Sequence, residues 1–161
     1  TGVQTCALPI SLRKNLNDLT TELSKTTDDE ARKDLQQKIN EIKAQIAEVD
    51  SDLAERKDRE ARRRAALNSL EEDFRKKRAG ATSKEELERL TREFDAAKDN
   101  INSKFNLEAN FKKDAKELRK LGDTEALKAL EDNYKEEQAL LDQNLKDQQK
   151  AIQEDIKRKK R

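Results

Sequence analysis

Apolar residues recur at alternating intervals of three and four along most of this chain. That spacing places them on one stripe of an α-helix and is typical of a coiled-coil seam. A stripe of this kind becomes buried only when another helix covers it, so the pattern predicts helices packed side by side. The series is clearest at Leu12, Leu16, Leu19 and Leu23, and then at Leu35, Ile39, Ile42, Ile46, Val49 and Leu53.

The composition supports long helices. Of 161 residues, 44% are charged and 32% hydrophobic, with three Gly, one Pro and a formal net charge of +1. Few helix breakers and many charges are typical of coiled coils, and so few large apolar residues cannot fill a compact core of this size. The sequence therefore predicts an all-α fold of elongated, antiparallel helical hairpins in a coiled coil, with no globular core.

Stop and start signals coincide with three breaks in the phase of the seam. Residues 27–30 read as a Thr-x-x-Glu capping box. Gly80 suits a left-handed helix end, and Ser83 with Glu86 forms a second capping box. Gly122 followed by Asp123 repeats the stop and start. We predict helices over 12–25, 28–79, 84–121 and 124–159 within a coiled-coil region 11–161; one continuous rod is the alternative, since a single Gly does not by itself end a helix.

An antiparallel turn near residue 82 predicts which seam residues face each other. It pairs Glu60 with Lys104 and Arg56 with Glu108, which places opposite charges in two successive layers. Such layers set the register and orientation of a coiled coil. The alternative is that residues 56–64 form a solvated stretch where the seam lapses. The next turn, at Gly122, pairs Phe111 with Tyr134.

Two further features concern the third and fourth helices. Phe105 and Leu107 flank the seam of the third helix and widen its apolar face, which predicts contact with two neighbours and an open apolar flank that favours self-association. In the fourth helix the spacing after Leu145 lengthens toward eleven residues, reaching Ile152 and Ile156. A longer repeat unwinds the supercoil, so we expect less regular packing there.

Residues 1–10 differ from the rest because they carry no charge and hold the chain's one Cys and one Pro. One reverse translation of all ten resembles the common adapter of short-read sequencing libraries. They lack the basic start and long apolar stretch of a signal peptide; a short natural leader is the alternative. We expect this segment to be an artefactual or disordered leader without packed contacts, so that the native sequence before residue 11 is not visible.

Nothing in the sequence indicates catalysis. There is no His, and no Gly-rich phosphate-binding loop occurs. A helical hairpin also offers no concave site for perturbed groups. We expect no enzyme activity, no cofactor and no metal site. No apolar run reaches the ~20 residues of a membrane span.

Two basic runs are candidate polyanion sites. The first is Arg62, Arg63 and Arg64, and the second is Lys157, Arg158, Lys159, Lys160 and Arg161. Basic runs of this kind occur in nuclear-import and polyanion-binding segments. The alternative for both is a solvated helix face, and no aromatic residues interleave with them for base stacking.

From residue 11 to 161 the chain resembles a segment of a long coiled-coil rod, such as golgin-like tethers, cytoskeletal linkers or SMC-type arms. No motif separates these families. The resemblance implies a structural or protein-interaction segment of a larger cytoplasmic or nuclear protein, acting as a spacer, scaffold or oligomerisation region. Its partner would be a second copy or another coiled coil. The alternative function is a basic-patch adaptor for nucleic acid, microtubules or anionic membrane.

Overall fold

A computed structural model describes the backbone of residues 2–161 and the side chains of residues 9–161. The backbone forms four α-helices and, over that range, no β-strand: α1 (Gly2–Lys25), α2 (Asp29–Ala79), α3 (Lys84–Leu121) and α4 (Thr124–Lys160). The predicted all-α fold of helical hairpins is confirmed. Within the described residues, no helix is both long and apolar enough to cross a bilayer.

The chain divides into two compact units, Thr1–Asp58 and Arg59–Arg161. In the first unit, α1 runs antiparallel to the beginning of α2. The Arg32 guanidinium near the turn donates to the carbonyl of Leu23 at 3.1 Å, and Arg13 pairs with Asp50 at 3.2 Å farther along. Leu35 and Ile39 are buried between the helices. Both belong to the predicted seam.

Helix α1 begins at Gly2, not at residue 12 as predicted, and it includes Pro9. Within a helix, a proline removes one backbone hydrogen bond and its ring clashes with the carbonyl four residues earlier, at a cost of about 3 kcal/mol, and nothing in the structure explains why α1 continues through Pro9. We expect residues 1–10 to make no packed contacts. Most of their side chains, those of residues 1–8, lie outside the described residues. Ile10, which is described, is 69% exposed.

In the second unit, α3 contacts both the end of α2 and the whole of α4. Phe94 stacks on Phe74 of α2, with ring centroids 4.5 Å apart, and Phe111 stacks on Tyr134 of α4 at 4.3 Å. The predicted register of α2 on α3, which pairs Glu60 with Lys104, does not place Phe94 opposite Phe74. The Phe111–Tyr134 stack is the pair predicted for α3 and α4. The wide apolar face of α3 therefore serves two neighbours, as the sequence predicts.

The helix ends follow the predicted signals with two corrections. Gly122 is left-handed (φ 70°) and ends α3, and Asp123 caps α4 by accepting from the amide of Ala126. Ser83 accepts from the amide of Glu86 at 3.1 Å. At α2 the cap is Asp28 and not Thr27, because the Asp28 carboxylate accepts a hydrogen bond from the Ala31 amide. Gly80 does not adopt positive φ, because its amide continues helical bonding to Lys76 and Lys77.

The two glycines predict opposite responses to alanine. Gly122→Ala is expected to cost about 1–2 kcal/mol in free energy of unfolding, because a Cβ is disfavoured in left-handed backbone. Gly80→Ala is expected to be neutral or to stabilise by up to about 1 kcal/mol, since it removes freedom from the unfolded chain and its Cβ meets only ordinary contacts. Urea denaturation followed by circular dichroism measures both, and equal losses would contradict the assignment.

Candidate functional site

Charged and polar side chains from all three helices of the second unit meet midway along α3. Among the described residues, no group of acidic or thiol side chains could hold a metal ion. The arrangement of the charged and polar side chains is that of a contact between helices. We call this set the polar belt and define it as Glu60, Arg62 and Arg63 of α2, Asn102, Lys104 and Glu108 of α3, and Tyr134 and Asp142 of α4.

Arg62 and Glu108 form the most protected ion pair of the polar belt. The Arg62 Nη2 lies 2.8 Å from the Glu108 Oε1, and the Glu108 side chain is 17% exposed. The guanidinium also lies 5.6 Å from the centre of the Phe105 ring, within reach of a cation–π attraction. Phe105 is thus half-buried beneath Arg62 and not on an open flank, which corrects that expectation; Leu107 is half-buried as well.

Tyr134 extends this cluster to α4. Its ring stacks on Phe111, and its hydroxyl oxygen accepts a hydrogen bond from Gln138. Burial raises the pKa of the Tyr134 phenol, and the nearby Glu108 carboxylate raises it further. The phenol therefore stays neutral, as suits a ring packed between helices.

Glu60 is held by two arginines of its own helix. The Arg63 guanidinium donates to both carboxylate oxygens, at 2.8 and 3.0 Å, and Arg64 donates at 3.2 Å. The bond from Arg63 lowers the pKa of Glu60 to about 2. Arg63 also donates to the amide oxygen of Asn102 on α3 at 3.1 Å. The arginine, and not Glu60, therefore makes the link between α2 and α3.

The predicted pairs Glu60–Lys104 and Arg56–Glu108 are wrong, because these residues have other partners. Glu60 pairs within α2, Lys104 pairs with Asp142 of α4 at 2.5 Å, and Glu108 pairs with Arg62. Arg56 is exposed and belongs to the first unit. The register of α2 on α3 differs from the predicted one by about one helical turn. Glu108 pairs with a residue six positions after Arg56, and Phe74 stacks on Phe94, four positions beyond the residue that the predicted register places opposite it.

The contact between α3 and α4 keeps one register along its length. Beyond Phe111–Tyr134 it continues through the Asn100 amide, which donates to the Leu141 carbonyl at 3.0 Å. It ends with Arg92 on Asp155 and Lys159 on Glu88, each at 2.6 Å.

The expectation of irregular packing in α4 is wrong. Ile152 and Ile156 are 6% and 3% exposed and are the two buried residues of this helix. Gln149, which is half-buried, occupies the position between Leu145 and Ile152. The spacing of three and four therefore continues through a polar residue that an apolar count passes over.

The two predicted basic runs differ in their surroundings. Arg62, Arg63 and Arg64 all pair with acids of the same unit. At the end of α4, Lys159 pairs with Glu88 and Asp155, and residues 157–161 are all exposed.

Sequence reasoning missed the partners Asn102 and Asp142. Both are polar residues next to seam positions, and nothing in a single-helix pattern marks them. It also gave no weight to the basic residues 75–78, which close α2.

Comparison with known proteins gives no relatives: no protein-family model, no curated protein and no solved structure matches this chain.

The pKa of Glu60 predicts a response to acid. A carboxyl whose folded-state pKa lies below its ordinary value stabilises the fold above that ordinary value and loses the contribution as the pH falls. For Glu60 this window runs from 4.5 down to about 2. The thermal midpoint should therefore fall less steeply across the window in Glu60→Gln than in the wild type. Glu71→Gln, at an exposed site of the same helix, should follow the wild type, and identical slopes in all three would contradict the prediction.

Proposed function

We propose that this chain is a structural and protein-interaction segment of a larger cytoplasmic or nuclear protein, and that it acts as a coiled-coil spacer or scaffold without enzyme activity. The observation that supports this most is the continuous register of α3 on α4, from Phe111–Tyr134 to Glu88–Lys159. A pair of helices fixed at both ends and in the middle is suited to holding attached groups at a set separation.

The length of α4 makes the spacer proposal measurable. Its 37 residues correspond to about 55 Å at 1.5 Å per residue. Spin labels at Lys128→Cys and Arg158→Cys, in a Cys6→Ser background, should be separated by about 45 Å with a narrow distribution. The same labels in an Ile152→Lys, Ile156→Lys variant, which removes the buried residues of α4, should give a broader distribution. A broad distribution in the wild-type background would contradict the spacer role.

The partner proposed is a second copy of the chain or another coiled coil. Leu140 is 59% exposed and is the large apolar side chain of α4 that stays exposed among the described residues, so it is the position at which contact with a second helix can be tested. Sedimentation equilibrium should show association that rises with concentration and weakens in Leu140→Gln. Ala139→Gln, at the neighbouring exposed position, is the matched control. A fully helical monomer at high concentration would contradict self-association.

The alternative function, a basic-patch adaptor, receives different support from each of the two runs. Residues 62–64 are paired with acids, so neutralising them should reduce stability more than binding to a polyanion. Residues 157–161 are exposed at a helix end, and they are taken up below.

A further inference from the structure

We propose that one end of the second unit binds the surface of an anionic lipid bilayer. This goes beyond the spacer role and does not depend on it. Antiparallel packing brings basic residues from the end of α2 and from the distant end of α4 beside the first turns of α3. We call this surface the basic end and define it as residues 75–78, Lys84 and residues 157–161.

Two contacts place these segments together. The Phe74–Phe94 stack fixes the end of α2 beside α3, directly before residues 75–78. The Lys159–Glu88 ion pair fixes the end of α4 beside the same turns of α3. Since α3 begins at Lys84, both basic segments flank its beginning.

Most of the cations at the basic end are free to meet a partner. Within α2, Lys76 and Lys77 pair with Glu72 and Asp73. A groove of about 450 Å³ opens between α3 and α4, where Arg89, Lys157 and Lys160 outnumber Glu86. At the basic end, which lies within the described residues, the cations that are exposed and form no ion pair with an acidic side chain are Arg75, Arg78, Lys84, Lys157, Arg158, Lys160 and Arg161.

The chemistry of the basic end favours a bilayer over nucleic acid. Clusters of four to eight basic residues bind anionic lipids. Leu87 is 39% exposed beside these cations, and a lipid interface accepts a leucine whereas a phosphate backbone does not. The aromatic rings at this end, Phe74 and Phe94, are stacked on each other and half-buried. They do not offer the exposed platforms on which bases stack.

The test uses the full chain and sedimentation with vesicles. Wild-type protein should bind vesicles of phosphatidylserine and phosphatidylcholine in equal parts. This binding should be lost in high salt, and the protein should not bind vesicles of phosphatidylcholine alone. The variant Arg78→Gln, Lys84→Gln, Lys157→Gln and Lys160→Gln should bind more than about 100-fold more weakly, since each basic residue contributes about five-fold.

The matched control neutralises the same residue types away from the basic end, at Lys112, Lys113, Arg119 and Lys128, which are exposed. It should bind within about three-fold of the wild type, because charges beyond a Debye length of a surface interact little with it. The variant Lys84→Arg, Lys157→Arg and Lys160→Arg should keep full binding, which separates charge from folding. Wild-type protein that does not prefer the anionic vesicles, or equal losses in the two neutralised variants, would overturn the proposal.

Leu87→Gln distinguishes the bilayer from other polyanions. It should weaken binding to the anionic vesicles several-fold and leave binding to a DNA duplex unchanged. Tighter binding to the duplex than to the vesicles, lost through the same four cations, would overturn the bilayer proposal in favour of nucleic acid.

Discussion

Replacing Ile156 with alanine is expected to lower the free energy of unfolding of the second unit by about 2–4 kcal/mol. Ile156 is 3% exposed and packs near the end of α4. Its truncation removes buried methyl and methylene groups and leaves a cavity that helices held by ion pairs on both sides cannot fully close. Urea denaturation followed by the helical circular dichroism signal measures the loss.

Leu121→Ala is the control, because Leu121 is 79% exposed at the end of α3. Its effect should be within about 0.5 kcal/mol. If both variants lose the same amount, Ile156 is not part of the buried contact. The comparison thus tests whether the last turns of α4 stabilise this unit.

Reversing the charge of Glu108 is expected to cost about 1–3 kcal/mol. Glu108 is 17% exposed and pairs with Arg62, so Glu108→Lys places two cations together in a partly desolvated site. Adding Arg62→Glu recreates an attractive pair in the opposite sense. It should recover much of the loss, which gives a coupling energy of about 1 kcal/mol in a double-mutant cycle.

A second cycle separates this register from the one that the sequence alone favours. Glu60→Lys and Lys104→Glu should be nearly additive, to within about 0.5 kcal/mol, because Glu60 bonds Arg63 and Arg64 while Lys104 bonds Asp142. Strong coupling between Glu60 and Lys104, with none between Arg62 and Glu108, would restore the pairing expected from the sequence.

The fold could be predicted from local signals, whereas the partners in the polar belt could not. Helix boundaries depend on short-range chemistry, so Ser83, Gly122 and Asp123 mark them in the sequence. The register depends on how the turn between two helices is built, which no local signal specifies. The turn at Gly122 leaves the predicted Phe111–Tyr134 pair intact, whereas α2 and α3 are displaced by about one helical turn, so that Arg62 and not Arg56 pairs with Glu108.

Burial within the hairpin of α3 and α4 is concentrated far from the turn that joins them. Leu90, Ile152 and Ile156 are buried near the open end, whereas Ala115 is buried near Gly122. A hairpin that closes from its turn gains contacts step by step, but here most of the apolar burial comes only when the two far ends meet. The chain therefore loses loop-closure entropy before it gains most of the stabilising contacts. We accordingly expect the hairpin to fold in one cooperative step, with its open end among the last regions to exchange amide hydrogens and not the first to fray.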